Sequence, residues 1–107
     1  TTSQYGLNDI LKINPVKYQY KNSTSGLYTI GFIAEQVSTI IPEVVSHQDE
    51  KGNVVSREQG IPVSMDYSKM NAVLVNAVKE QQLEIDVLEQ ENSVIEKQIT
   101  KLEGLLL

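Results

Sequence analysis

The chain has no cysteine, which removes disulfides, thiolate metal sites and thiol catalysis together and fits a reducing compartment. It also has no basic cluster. Nine Lys and Arg are scattered among fourteen Asp and Glu, for a formal charge of −5. Nothing in that arrangement tracks a phosphate backbone, so nucleic acid is not an expected ligand. The one histidine, His47, has no second imidazole and no ordered carboxylate cluster beside it, so a solvated residue is expected rather than a ligand or a base. No apolar run reaches the roughly 18 residues that cross a bilayer, and the start lacks the basic-then-apolar form of a signal peptide. The chain starts at Thr1 rather than Met, and so reads as part of something longer.

Helix breakers are missing from one long stretch. Between Tyr67 and Glu103 there is neither Pro nor Gly, and Gly104 is the first interruption. A helix of about 37 residues there would be about 55 Å long at 1.5 Å per residue. Asp66 is placed to cap its start. Its apolar residues step by alternate threes and fours. Val78, Ile85, Asn92, Ile99 and Leu106 take heptad position a, and Leu74, Gln81, Leu88, Ile95 and Leu102 take position d. A seam kept in register from Leu74 to Leu106 marks a coiled coil, because a globular helix drifts at period 3.6. The alternative is a single amphipathic helix packed on its own head, and Val87 and Val94, off the seam at c, are consistent with it. Gln81 and Asn92 weaken the seam and serve to set register and strand number.

Strand number stays open on periodicity. Ile85, Leu88 and Asn92 favour two chains, whereas Ile95 with Ile99 favours more. Glu84 and Glu91 at g, with Glu89, Glu96 and Glu103 at e, crowd the flanks with one sign. Parallel copies would repel mildly, so the coil is expected to be held partly by its head or to be impermanent.

The head is only about 65 residues, a size at which association often supplies missing burial. Leu7, Ile10 and Leu11 have helical spacing before Asn14-Pro15. Val16 to Tyr20 alternates as a strand, Lys21 to Gly26 is turn chemistry, and Leu27 to Ile33 is rich in β-formers, which together predict a hairpin. Ala34 to Ile41 predicts a short helix ended by Pro42, with Val44 and Val45 extended beyond it. His47 to Gly60 is polar around Asp49-Glu50-Lys51-Gly52-Asn53 and predicts a projecting hairpin arm, with Gly52 suited to positive φ. Pro62 places Ile61 to Met65 at a sheet edge.

No catalytic or metal-ligating residue, and no cofactor, is assigned. Asp49, Glu50 and Glu58 match no calcium loop and read as a solvated turn. Glu35 and Glu43 are explained by a helix face and a cap rather than by paired-carboxylate chemistry. Gly31 near Ala34 lacks the Gly-rich loop and Lys of a phosphate site. Tyr18, Tyr20, Tyr28 and Phe32 read as core rather than as a stacking platform.

Three phrases carry a resemblance. Asn8 to Tyr18 (Asn-Asp-Ile-Leu-Lys-Ile-Asn-Pro-Val-Lys-Tyr) is the first. The most specific is Gly31-Phe32-Ile33-Ala34-Glu35-Gln36-Val37 followed by Ile41-Pro42-Glu43-Val44-Val45. The third is Met65-Asp66-Tyr67-Ser68-Lys69-Met70 with Leu74 and Ala77 to Gln81. In this order they resemble the C-terminal intramolecular chaperone domain of phage tailspikes, tail fibres, neck appendages and endosialidases, a self-cleaving serine peptidase family. A similar domain occurs in a eukaryotic membrane-tethered transcription factor of the myelin regulatory type. The resemblance spans roughly residues 7 to 103.

It implies an α+β fold: a small mixed helix/strand head at 1–65, then a long C-terminal helix at 66–107 forming a parallel trimeric coiled coil. The implied partners are two sister copies and an N-terminally attached β-rich fibre stem, with neither nucleic acid nor membrane. The implied place is the host cytoplasm during virion assembly, with the domain gone from the mature virion after cleavage. Intertwined β-structure has high contact order, and a local helix bundle that aligns the chains first offsets that entropy. Family arms grip the stem, and here His47, Asp49, Glu50, Lys51, Asn53 and Arg57 are the candidates. The family's nucleophile, a Ser usually followed by Asp, and its Lys base lie upstream of the first phrase. Only Thr1 to Gly6 precede it here. They contain no Lys, Ser3 is followed by Gln4, and Lys12 falls inside the phrase. This chain alone is therefore expected not to cleave itself, its catalytic pair having been trimmed away. The rival readings are a permanent trimeric coiled-coil adaptor, and an active autopeptidase if Ser and Lys stand upstream.

Overall fold

The computed structural model describes residues 4–22 and 24–106. Ser3, weighed above as a nucleophile, and Ser23 in the hairpin turn lie outside the described residues.

The first element is closed by its own side chain. The Gly6 amide donates to Asp9 Oδ2 at 3.0 Å, and the Ile10 amide donates to the Gly6 carbonyl at 3.1 Å, making helix α1 (Leu7–Ile10). Pro15 forces the preceding residue towards extended backbone. Strand β1 (Val16–Tyr18) follows and pairs antiparallel with β2 (Thr29–Gly31), Val16 opposite Gly31 and Tyr18 opposite Thr29. Both strands are shorter than their sequence pattern suggests. Among the described residues the ribbon has two strands, and Ile30 on it and Tyr20 and Tyr28 beside it are exposed to water.

That bareness corrects the reading of its aromatics. Tyr20 and Tyr28 are 67 and 61 % exposed, not core. Tyr28 lies under Lys17 Nζ, 4.6 Å from the ring centroid, and Tyr20 packs edge-on against Tyr18 at 5.2 Å. Only Tyr18 and Phe32 are part-buried.

Helix α2 (Ala34–Ser38) turns Ala34 and Val37 inward and ends before Pro42. Val44, expected to be extended, belongs to a 3-10 turn over Pro42–Val44. Pro suits the first position of such a turn, where its fixed φ helps and its missing N–H is not needed. Strand β3 (Val45–Gln48) starts one residue later, then β4 (Val54–Val55) and β5 (Ile61–Met65) complete an antiparallel sheet of order β4-β3-β5. Pro62 thus sits on an edge strand, as its chemistry requires. The register slips between Ser46 and His47 and leaves Val63 without a partner on β3.

Helix α3 (Tyr67–Leu106) runs 40 residues, which is about 60 Å at 1.5 Å per residue. It accounts for most of the molecule's 78 Å longest dimension. Asp66 caps it, accepting from the Lys69 amide at 3.3 Å, while its own amide donates to the Val44 carbonyl at 2.7 Å. The helix passes through Gly104, where a break was expected. A glycine there costs about 1 kcal/mol relative to Ala but does not clash with the preceding turn as Pro would.

The core is small. Val37, Ile41, Val44 and Val45 meet Met70 and Val73 of α3, with Ala34 and Ala77 also buried. Met70, Val73 and Ala77 follow i, i+3, i+7, one face of the first turns of α3. The core therefore crosses the expected boundary between residues 65 and 66, and the head is built partly from the long helix. Among the described residues, no helix is long and apolar enough to cross a membrane.

Candidate functional site

The seam is exposed along its length. Its apolar residues Leu74, Val78, Ile85, Leu88, Ile95, Ile99 and Leu102 are 41 to 63 % exposed, and Gln81 and Asn92 are exposed among them. From Gln81 onward every described residue of α3 is exposed. This decides against a helix packed along its own head. The head takes a different face: Val73 and Ala77 are buried, while Leu74 and Val78, each one residue on, are not. One residue is about 100° around an α-helix, so head and seam occupy separate sides. An apolar seam side chain going from half exposed to buried contributes on the order of 1 kcal/mol.

The clamp beside the seam was not foreseen. Asn76 and Glu80 reach from α3 to the segment entering the head. Asn76 Nδ2 donates to the Tyr5 carbonyl at 2.6 Å and to Glu80 Oε1 at 3.3 Å, and the Leu7 amide donates to Glu80 Oε2 at 3.1 Å. Gly6 is buried between them, and a Cβ there would overlap the Glu80 carboxylate. The Tyr5 hydroxyl bonds Glu43, whose carboxylate, with burial second, holds the phenol pKa above its ordinary value. The Tyr18 phenol is raised as well, first by its bond to Tyr20. In sequence, Asn76 and Glu80 are only polar residues at i, i+4, and nothing marks their partner.

The arm is a hairpin held by its own tip. Asp49 Oδ1 accepts from the Lys51 and Asn53 amides, both at 2.9 Å, and Asp49 Oδ2 accepts from Asn53 Nδ2 at 3.4 Å. Gly52 has φ +82 in this turn, a conformation that costs a side-chain-bearing residue more. Asp49 and Asn53 are thus occupied in building the tip, while Glu50, Lys51 and Arg57 are exposed. His47 is a correction. It is not solvated but 4 % exposed, and its Nε2 lies 2.9 Å from Ser38 Oγ, also buried. It falls at the base of the arm, where β3 is flanked by β4 and β5. The pair ties α2 to β3. Among the described residues, no fully buried side-chain nitrogen or oxygen lacks a partner.

The Gly31 to Pro42 block divides by burial. Gly31 lies against the Tyr18 ring and the Tyr67 hydroxyl, so a Cβ there would be 3.0 Å from the ring. Phe32 is part-buried 6.1 Å from the Tyr67 ring. Ala34 and Val37 are core, and Pro42 opens the 3-10 turn. Ile33, Glu35 and Gln36 are exposed. Ile33 and Glu35 line an open cleft of about 730 Å³ between β1 and β5, with Tyr18, Val63 and Tyr67. Among the described residues, no group of three or more His, Cys, Asp or Glu is placed to hold a metal.

None of the curated proteins compared with the chain matches it. The third phrase, from Met65 to Gln81, lies outside the residues that the family model matches. Residues 1–46 match the model of the peptidase-related family described as chaperone of endosialidase, the family to which the Asn8–Tyr18 phrase and the Gly31–Val45 block pointed.

Proposed function

We propose that this chain is an intramolecular chaperone that joins three copies through the α3 seam and sets in register a β-rich phage fibre attached on its N-terminal side. The observation that carries the reading is the seam. Its apolar residues stay exposed from Leu74 to Leu102, while the head buries a separate face of the same helix. An isolated helix gains little from its own turns in water, so the stretch of α3 from Gln81 onward, exposed at every described residue, needs another surface. Three identical stripes supply one. The family match over residues 1–46 supports the chaperone role. The exposed Glu50, Lys51 and Arg57 of the arm are the groups available to the stem.

Release is the companion step. Cleavage between stem and head, during assembly in the host cytoplasm, leaves a mature fibre without the domain. The one-sign flanks Glu84, Glu89, Glu91, Glu96 and Glu103 favour a coil that comes apart after use over a permanent adaptor. Sedimentation equilibrium tests the assembly: the expected mass is three times 12.0 kDa. A folded chain running at 12.0 kDa at high concentration ends the proposal. For release, the gene upstream of Thr1 is expected to encode a Ser-Asp and a nearby Lys.

A further inference from the structure

We infer that Asn76 and Glu80 are positioning residues that couple the coil to the segment entering the head, so that Tyr5–Leu7 acquires fixed geometry only once the coil has assembled. The inference rests on the assembly reading above. Its basis is where the clamp sits. Glu80 bonds the head and is the last described residue of α3 that is not exposed. Seam residues Val78 and Gln81 stand within two positions of it. To hold its side chain towards Leu7, residue 80 must be helical, and its carbonyl needs the amide of Glu84 one turn on.

Without sister chains that next turn has no cover, and a helix lacking tertiary contacts frays from its free end inward. Fraying that reaches Glu84 loosens Glu80. The Leu7 amide then loses its acceptor, and Asn76 loses the Glu80 oxygen that orients it towards the Tyr5 carbonyl. Assembly buries the seam, stops the fraying and restores the clamp.

Hydrogen exchange of the amides from Tyr5 to Ile10, measured on the whole chain alongside its solution mass, tests this. Glu80→Ala and Gly6→Ala should speed exchange there about tenfold at unchanged mass, the loss expected for a hydrogen bond to a charged acceptor. Glu80→Gln leaves one acceptor oxygen for two donors, Asn76 Nδ2 and the Leu7 amide, and should speed exchange less than Glu80→Ala does. The decisive variant is Ile95→Asp, which lies about 22 Å along the helix from Glu80 and should speed the same amides as the mass falls. Dilution of the unsubstituted chain through its dissociation range repeats the test without a substitution. An assembled chain whose separated copies keep full protection of Leu7 overturns the coupling and leaves the assembly reading standing. A chain that never assembles ends both.

Discussion

The head and the distal helix are stabilised in different ways, although they share one backbone helix. The head has a closed interior: Ile41 is fully buried, Ser38 and His47 satisfy each other, and β3 is paired on both edges. Beyond Glu80 every described residue of the helix is exposed, and its side chains bond locally, as Gln82 Nε2 does to Asp86 Oδ1 at 2.9 Å and Thr100 Oγ1 to the Glu96 carbonyl at 3.0 Å. An exposed i, i+4 side-chain pair such as Gln82 with Asp86 contributes a few tenths of a kcal/mol, and a Thr hydroxyl bonded back to the i−4 carbonyl adds no stability to a helix. The head's core around Ile41 can hold its shape through its own packing, whereas the distal helix and the Tyr5–Leu7 segment clamped by Glu80 are the parts that the proposed assembly would steady. The two meet at Asn76 to Gln81, where core, clamp and seam occupy adjacent faces of two turns.

That contrast can be broken most severely from the seam. Ile85→Asp should abolish the oligomer, because every copy would bury an unpaired carboxylate at one layer, at a cost of several kcal/mol per charge. An unchanged mass by sedimentation equilibrium would defeat this. Ile41→Ala attacks the other region and should remove about 2–5 kcal/mol of head stability through the cavity it leaves. It should appear as a lower thermal midpoint with the oligomer still present at low temperature. Ser38→Ala should cost about 1–3 kcal/mol by leaving the buried His47 ring without its partner. A denaturant midpoint matching the unsubstituted chain would mean the pair contributes nothing.

Smaller effects sharpen the comparison. Raising the salt concentration should tighten assembly modestly by screening the five flanking glutamates, and affinity independent of salt would show that they do not meet. Alkaline pH should act on the head. A raised folded-state pKa means that the native Tyr5 and Tyr18 hold their protons more tightly than the unfolded chain does. Their contribution is therefore complete below the ordinary tyrosine value and is lost as pH rises through the folded value. Tyr5→Phe should flatten that decline in a thermal melt followed above pH 10, and an equal decline in both chains would remove Tyr5 as its source.

The distal helix was the most legible part. Its heptad spacing, the absence of Pro and Gly and the Asp66 cap are local or periodic signals, and the structure carries the helix three residues past Glu103. The Gly52 turn and the edge position of Pro62 were legible for the same reason, since each depends on what one residue's backbone permits. His47 was misread because its polar neighbours suggested solvent. What buries it is β5 pairing along β3, together with Ser38, nine residues away. Tyr20 and Tyr28 were misread in the opposite sense: an aromatic strand is core only if something covers it.

Periodicity and residue chemistry by themselves determined that there is a long helix with one apolar stripe, a small strand-and-helix head and a tight acidic-tipped arm. Such properties rest on contacts within a few residues. Tertiary structure alone decided which face of α3 the head would take, that His47 would be buried, and that Asn76 and Glu80 would grip Tyr5 and Leu7 some seventy positions away. Long-range hydrogen bonds join residues whose sequence neighbourhoods carry no trace of each other, because their geometry exists only after the chain has closed.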